Sequence, residues 1–251
     1  MGLFSAKAIV LRTINLSETD KLAILFTEQY GKVKCAAKAA RKVKSRFGAA
    51  LEPLSFISVI YFGKEKQEIF ILNHSDVIRS FHWLREDFSK FYTAIYFNEL
   101  MDNIIQEGHP SPECFHFLLE AFEALKDTTE LETLRRLFEI RIMTLAGFGP
   151  RLNQCIVCPR IPEGNILGFS FRMGGIVCEK CLRKTRVELN IRAGTLNYVK
   201  KLMNMDIRHC HRLKIPKSME KEIENVTHRL VSYNLGRELR SYPFIKQMAA
   251  L

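Results

Sequence analysis

Leu22-Ala23-Ile24-Leu25-Phe26 and Lys32-Val33-Lys34-Cys35-Ala36 are two short, largely apolar stretches divided by the turn signal Tyr30-Gly31. Stretches of this length and composition, bounded by turn residues, read as β-strands. The same pattern extends outward to residues 8–11 on one side and to residues 54–62 and 69–72 on the other. Ser17-Glu18-Thr19-Asp20 and Gly63-Lys64 supply the further turns. About five short strands within 80 residues predict an OB-type β-barrel, whose face and loops suit single-stranded nucleic acid; an SH3-like barrel is the structural alternative.

Beyond this segment the period changes. Over residues 84–105, Phe88, Phe91, Tyr92, Ile95, Tyr96, Leu100 and Ile104 recur at three- and four-residue steps and predict an amphipathic helix, ended by Gly108 and His109-Pro110. Ser111 and Pro112 open a second helix with Phe115, Leu118, Leu119, Phe122 and Leu125 as its buried stripe. A third is expected over 130–145, with Leu134, Leu137, Phe138, Ile140 and Leu145 inward and Gly147 and Gly149-Pro150 as its stop. The acidic residues Glu86, Asp87, Asp102, Glu113, Glu120, Glu123 and Glu132 read as the solvated faces. Helical spacing returns over 193–205 and 217–235, where Gly236 ends the last helix, and the residues after Tyr242-Pro243 are expected to be mobile.

Between the third and fourth helices lie Cys155 and Cys158, then Cys178 and Cys181, two Cys-x-x-Cys pairs with nineteen residues between them. Each two-residue gap lets a tight turn aim two thiolates at one ion, so the four predict one structural zinc ion with no open coordination position. Redox dithiols or buried apolar thiols are the alternatives. Gly174-Gly175 permits the sharp backbone course before the second pair, Pro159 follows the first, and residues 166–171 form a short strand between them. Cys35, Cys114 and Cys210 lack partners at ligand spacing and read as small buried residues, and His209 and His211 as exposed or capping. The expected class is therefore α+β: a five-stranded OB-type barrel over 1–80, a helical domain over 81–152 and 187–251, and an inserted four-cysteine zinc element over 153–186.

The net charge of +11 is uneven. Lys and Arg number 13 against 7 Asp and Glu over residues 1–80, 6 against 12 over 81–150, and 19 against 8 over 151–251. Residues 31–50 hold Lys32, Lys34, Lys38, Arg41, Lys42, Lys44 and Arg46 and no acid, an arrangement suited to a phosphate backbone. Phe47, Phe56, Tyr61, Phe62 and Phe70 are available for base stacking, although strand aromatics more often serve the core. With 47% hydrophobic residues the chain reads as globular, and its longest apolar run, residues 54–62, is too short to cross a bilayer. Ala6 stands where an acylation signal beginning at Met1-Gly2 needs Ser or Thr, and the odd set of seven cysteines suits a reducing cytoplasm. There is no phosphate-loop pattern, dinucleotide fingerprint, serine elbow or paired His-Glu metal motif, and no catalytic residue stands out.

Several ordered motifs resemble the RecO family of bacterial recombination mediators. They are Leu11-Arg12 with Glu18-Thr19-Asp20-Lys21, Phe26-Thr27 with Gly31-Lys32, the basic run from Ala39 through Phe47, Leu51-Glu52-Pro53-Leu54, and the cysteine pairs with Gly174-Gly175. The resemblance implies a protein that is not an enzyme, that binds single- and double-stranded DNA, and that anneals complementary strands. It further implies that the protein helps RecR load RecA onto DNA covered by single-strand-binding protein, and that it contacts the acidic tail of that protein, in the bacterial cytoplasm near the nucleoid. Arg12, Lys32, Lys34, Lys38, Arg41, Lys42, Lys44 and Arg46 are the expected DNA contacts, with Zn2+ on Cys155, Cys158, Cys178 and Cys181. Ala39-Ala40 stands where the family often has glycine, which predicts a stiffer loop. An RNA-binding or ribosome-associated protein with the same two elements is the competing reading, and a protein-binding adaptor a further one.

Overall fold

The computed structural model describes residues 2–64 and 67–248. In chain order the elements are β1 (Gly2–Asn15), β2 (Lys21–Thr27), β3 (Gly31–Ala37), β4 (Phe56–Gly63), β5 (Phe70–Arg79), α1 (Phe88–Ile104), α2 (Pro112–Asp127), α3 (Leu131–Leu145), β6 (Ile166–Ser170), β7 (Gly175–Val177), α4 (Glu179–Leu182), β8 (Leu189–Arg192), α5 (Ala193–Asn204), α6 (Lys217–Leu235) and α7 (Tyr242–Met248). The chain divides into two compact units, residues 1–122 with 239–251, and residues 123–238.

In the first unit β1 to β5 close a barrel in the order β1-β2-β3-β5-β4. β1 makes closure possible because it serves two neighbours. Gly2 to Ile9 pair with β4 and Ala8 to Asn15 with β2, with a register shift between Val10 and Arg12. That shift bends the strand. The buried Asn98 amide of α1 donates to the Val10 and Leu11 carbonyls at the bend, at 3.0 and 3.1 Å, and the Val10 carbonyl also accepts from the Leu54 N–H at 3.0 Å. On the opposite side a short parallel contact, Cys35 with Phe70 and Ala36 with Ile71, seals the barrel.

Strict alternation of burial along β3 sends Val33, Cys35 and Ala37 inward and Lys32, Lys34 and Ala36 outward. Small residues, Ala6, Ala8, Ala23, Cys35 and Ala37, make room inside for Leu25, Ile57, Val59, Tyr61 and Leu72. One end is plugged by Phe47, Ala50 and Leu51 on a 3-10 turn at Gly48–Leu51. On the outer wall the Phe26 and Phe56 rings meet Phe115 of α2 edge-on, at 5.5 and 6.0 Å.

The helices follow the sequence pattern with three differences. α1 begins at Phe88 rather than residue 84, because the Asp87 carboxylate accepts from the Ser89 and Lys90 N–H groups and sets the N-terminus there. Residues 242–248 form a helix rather than the start of a mobile tail, and the last three residues lie outside the described ones: Tyr242 and Ile245 are buried, and Glu99 accepts from the Arg240 and Ser241 N–H groups, both at 2.8 Å. Seven residues are too few to show periodicity in a sequence. The third difference lies in α3, whose polar residues are not all solvated.

In the second unit β7, β6 and β8 form a three-stranded sheet in that order, with α5 and α6 against β8 and α3 packed on α5 and α6. α6 stops at Gly236, whose φ of 66° is the left-handed cap that glycine adopts without strain. α3 is buried nearly all round, and Arg135, Arg136 and Glu139 lie inside with the leucines. Glu132 holds both arginines, at 2.6 Å for Arg136, and so is an internal partner rather than surface charge. Arg136 also meets Glu139 at 2.8 Å, and Thr227 donates to Glu139 at 2.5 Å. Burial alone would raise the Glu139 pKa, but Arg136, with His228 and Thr227, holds it at about 2.

A carboxylate depressed this far contributes stability fully present above its ordinary value of 4.5 and lost as pH falls towards 2. Glu139→Gln, which leaves part of the Arg136 charge buried and uncompensated, is expected to cost about 3 kcal/mol in urea denaturation at neutral pH and to flatten the acid limb of the stability profile. An unchanged acid limb would count against the network.

Candidate nucleic-acid interface and metal centre

The basic run leaves the barrel at the end of β3 and returns at β4. It is pinned at its start by Asp20, in the turn between β1 and β2, which accepts from the Ala39 N–H at 2.8 Å and the Thr19 hydroxyl at 2.9 Å. The Ala39 N–H, then the Thr19 hydroxyl, hold the Asp20 carboxyl below its usual range. Ala39 sits at φ 58°, a left-handed conformation that costs an alanine about 1 kcal/mol or more and is retained because Asp20 fixes its N–H. The Arg41 N–H adds a bond to the Thr19 carbonyl at 2.9 Å.

The eight expected contact residues fall into two groups. Arg12, Lys32 and Lys34 lie on strands and are ion-paired: Arg12 with Asp102 at 2.5 Å, Lys32 with Asp102 at 3.3 Å, and Lys34 with Glu107 at 2.6 Å. Asp102, read from the sequence as solvated charge, is thus the hub of a cation cluster. Lys38, Arg41, Lys42, Lys44 and Arg46 lie on the exposed loop, and none forms an ion pair with another described residue. The two arginines are oriented by neutral groups. Arg41 donates to the Ser17 carbonyl at 2.7 Å, while Arg46 donates to the Leu72 carbonyl at 3.4 Å and stacks over the Phe47 ring at 4.9 Å. A carbonyl orients a guanidinium without cancelling its charge, so the loop carries five cations outside any ion pair, two of them oriented, with Lys38 in the field of Asp20. Among the aromatics, Phe47 and Tyr61 are core, Phe56 packs on α2, and Phe62 and Phe70 are half-buried.

In the second unit the four cysteine sulfurs lie within 4.8 Å of one another. Cys158 Sγ is 3.7 Å from Cys178 Sγ and 3.4 Å from Cys181 Sγ. A tetrahedral site of four sulfurs with bonds of about 2.3 Å has edges of about 3.8 Å, so the donor set fits a zinc-sized ion. The first pair is stitched to the second by backbone: Ile156 donates to Ile176 at 2.9 Å and Arg151 to Gly174 at 2.9 Å. Gly175 is required, because a Cβ there would strike the Arg151 carbonyl, and Gly174 supplies the turn at φ 70°. The Cys158 and Cys178 N–H groups point at Cys155 Sγ, at 3.5 and 3.3 Å. Burial opposes ionisation of Cys155, yet these N–H groups and that of Val157 bring it down to about 6. The neighbouring Cys158 thiol pushes Cys181 up to about 12. A divalent ion would hold all four sulfurs as thiolates. Cys35, Cys114 and Cys210 are buried, with the Cys35 thiol pushed by burial to about 12, and His209 and His211 are exposed, as the sequence predicts.

The family model for the N-terminal part of recombination protein O matches residues 1–81, and that for its C-terminal part matches residues 85–243. The chain belongs to the RecO family. Curated relatives named DNA repair protein RecO match along almost their whole length. The one from Pelotomaculum thermopropionicum is 29% identical over 98% of this chain and 94% of its own. Those from Thermoanaerobacter sp. and Clostridium kluyveri are each 29% identical over 99% of this chain, and over 99% and 95% of their own. The RecO family works in DNA repair, and its C-terminal match includes the four-cysteine cluster. Among the described residues no helix is long and apolar enough to cross a membrane. Sequence reasoning missed Asp20 as the loop anchor, although an acid in a Ser-Glu-Thr-Asp turn ahead of a basic run is a visible signal.

Asp20→Ala is expected to abolish amide-exchange protection at Ala39 and Arg41 while leaving that of β3 intact. Retained protection at Ala39 would show that the loop is held by something else.

Proposed function

We propose that this chain is a recombination mediator that binds single- and double-stranded DNA, anneals complementary strands and helps RecR load RecA onto DNA covered by single-strand-binding protein. It acts in the cytoplasm without turning over a covalent bond. The observation that carries the DNA-binding part is the loop of five cations outside any ion pair, pinned to an OB-type barrel in a chain of the RecO family. We assign the grip on nucleic acid to residues 1–80. Lys38, Arg41, Lys42, Lys44 and Arg46 neutralise phosphates directly, and Arg12, Lys32 and Lys34 join them where a phosphate displaces Asp102 or Glu107. Residues 151–251 hold a second excess of cations, 19 against 8, suited to another strand. Screening two backbones removes the repulsion that opposes annealing. The loading steps and the contacts with RecR and with the acidic tail of single-strand-binding protein rest on family membership.

The four-cysteine element over 153–186 would hold one Zn2+ through Cys155, Cys158, Cys178 and Cys181, and the ion would cross-link its two turns with no open position for chemistry.

With about five phosphates of a single strand engaged, log affinity is expected to fall against log salt with a slope near −3.5. Replacing Arg41, Lys42, Lys44 and Arg46 together by Ala removes most of that slope and weakens binding to all sequences alike. A salt-insensitive affinity contradicts the reading, and competition between DNA and RNA strands of equal length separates it from an RNA-binding role.

The purified chain is expected to carry one zinc per molecule by atomic absorption. Cys155→Ser loses it and melts β6, β7 and α4 while the barrel amides keep their protection. A metal-free chain with that element fully protected would refute the zinc assignment.

A further inference from the structure

We infer that the barrel end bounded by Phe4, Tyr30, Tyr61 and Phe70 is a stacking pocket for one unpaired nucleobase of a DNA strand. These residues come from β1, the turn between β2 and β3, β4 and β5, and they line a cavity of about 470 Å³. Tyr61 is the buried floor, and Phe4 lies nearly parallel to it, with centroids 5.3 Å apart and planes 16° apart. Phe70 meets both edge-on, at 5.6 and 5.2 Å. Tyr30 stands across them at 81° and 85° and is 37% exposed, so its ring is open to a partner. The far wall is the loop between α1 and α2. It is seated on β3 by the Gly108 N–H to the Lys32 carbonyl at 3.0 Å, and by Gly31, where any side chain would collide with the His109 carbonyl.

Charge decides the class of occupant. The lining includes Lys32 and Lys34 against Glu68 and Glu107, with Lys34 and Glu107 paired at 2.6 Å. A lining balanced in this way favours neither a phosphate nor a quaternary ammonium, and it suits a neutral ring with polar edges. Position then favours a base over an aromatic side chain of a partner protein. Lys32, Lys34 and Ala36 share the outward face of β3, and Lys38 at its end leads into the cationic loop about 20 Å away. A strand held by its phosphates at the loop and followed along β3 arrives at the pocket, and it engages the loop cations whatever its sequence, whereas a peptide does so only where it carries acidic side chains.

This inference rests on the reading that the barrel binds single-stranded DNA, and the experiment separates the two. Fluorescence anisotropy compares a thymidine oligonucleotide with an abasic deoxyribose-phosphate oligomer of equal length, for the unmodified chain, for Tyr30→Leu and for the four-Ala loop variant. Tyr30→Leu keeps apolar volume but removes the stacking face. It is expected to weaken thymidine binding about ten-fold and to leave both abasic binding and the salt slope unchanged. Thymidine binding unchanged in Tyr30→Leu but lost in the loop variant overturns the pocket and leaves the DNA reading standing. No binding of either oligomer by the unmodified chain overturns both. Should Tyr30→Leu fold poorly, photocrosslinking of an iodouracil oligonucleotide to the unmodified chain decides: adducts at Phe4 or Tyr30 are expected, and adducts confined to other residues overturn the proposal.

Discussion

Everything on the barrel depends on one strand having two partners. β1 gives its first half to β4 and its second to β2, and the register shift between Val10 and Arg12 turns the strand from one to the other. Bending a strand inside a closed sheet exposes carbonyls that would be costly to leave unpaired. Asn98 of α1 meets that requirement at Leu11 and shares the Val10 carbonyl with the Leu54 N–H, so a helix is built into the closure of the sheet. With the barrel closed, the outward face of β3, the turn that carries Asp20 and the aromatic end at Tyr61 are all set in place.

The fold then sorts positive charge by its partner. Where carboxylates are near, as for Lys32 with Asp102 and Lys34 with Glu107, the cation serves the structure first. Where only carbonyls are near, as for Arg41 with Ser17 and Arg46 with Leu72, the geometry is held and the charge remains available. Loop anchoring follows the same division. Asp20 spends its hydrogen-bonding capacity on the Ala39 N–H and the Thr19 hydroxyl, so it orders the basic run while making no ion pair with it. Exposed charges held this way act over roughly a Debye length, which is what capture of a polyanion requires.

The second unit solves a different problem. A short sheet with two cysteine turns has little apolar surface of its own, and the buried residues of its small core are Cys155, Val177 and Cys178. In the same unit α3 buries Arg136 and Glu139 where two leucines would have served for burial alone. A paired buried charge adds little stability over an apolar core, but it tolerates few alternative packings and so specifies how α3 and α6 meet.

How much was legible follows from how far apart the partners lie. The positions of the five barrel strands, the span of α6 with its stop at Gly236 and the four-cysteine set are legible as local patterns of period, cap or spacing, whereas the full reach of β1 and β5 and the short strands β7 and β8 are set by their pairing partners. The N-terminus of α1, the helix at Tyr242, the role of Asp102 and the partnering of Glu132 were misread. Their meaning comes from Asp87, Glu99, Arg12 and Arg136, which lie up to 142 residues away or on a neighbouring turn with no periodic mark. The sequence alone determined where the charges are and which segments fold as strands, helices and metal turns, because those depend on near neighbours. Only the tertiary structure decided which cations are neutralised, which acids are internal and which rings stay open, because pairing and burial are settled by what the folded chain brings alongside.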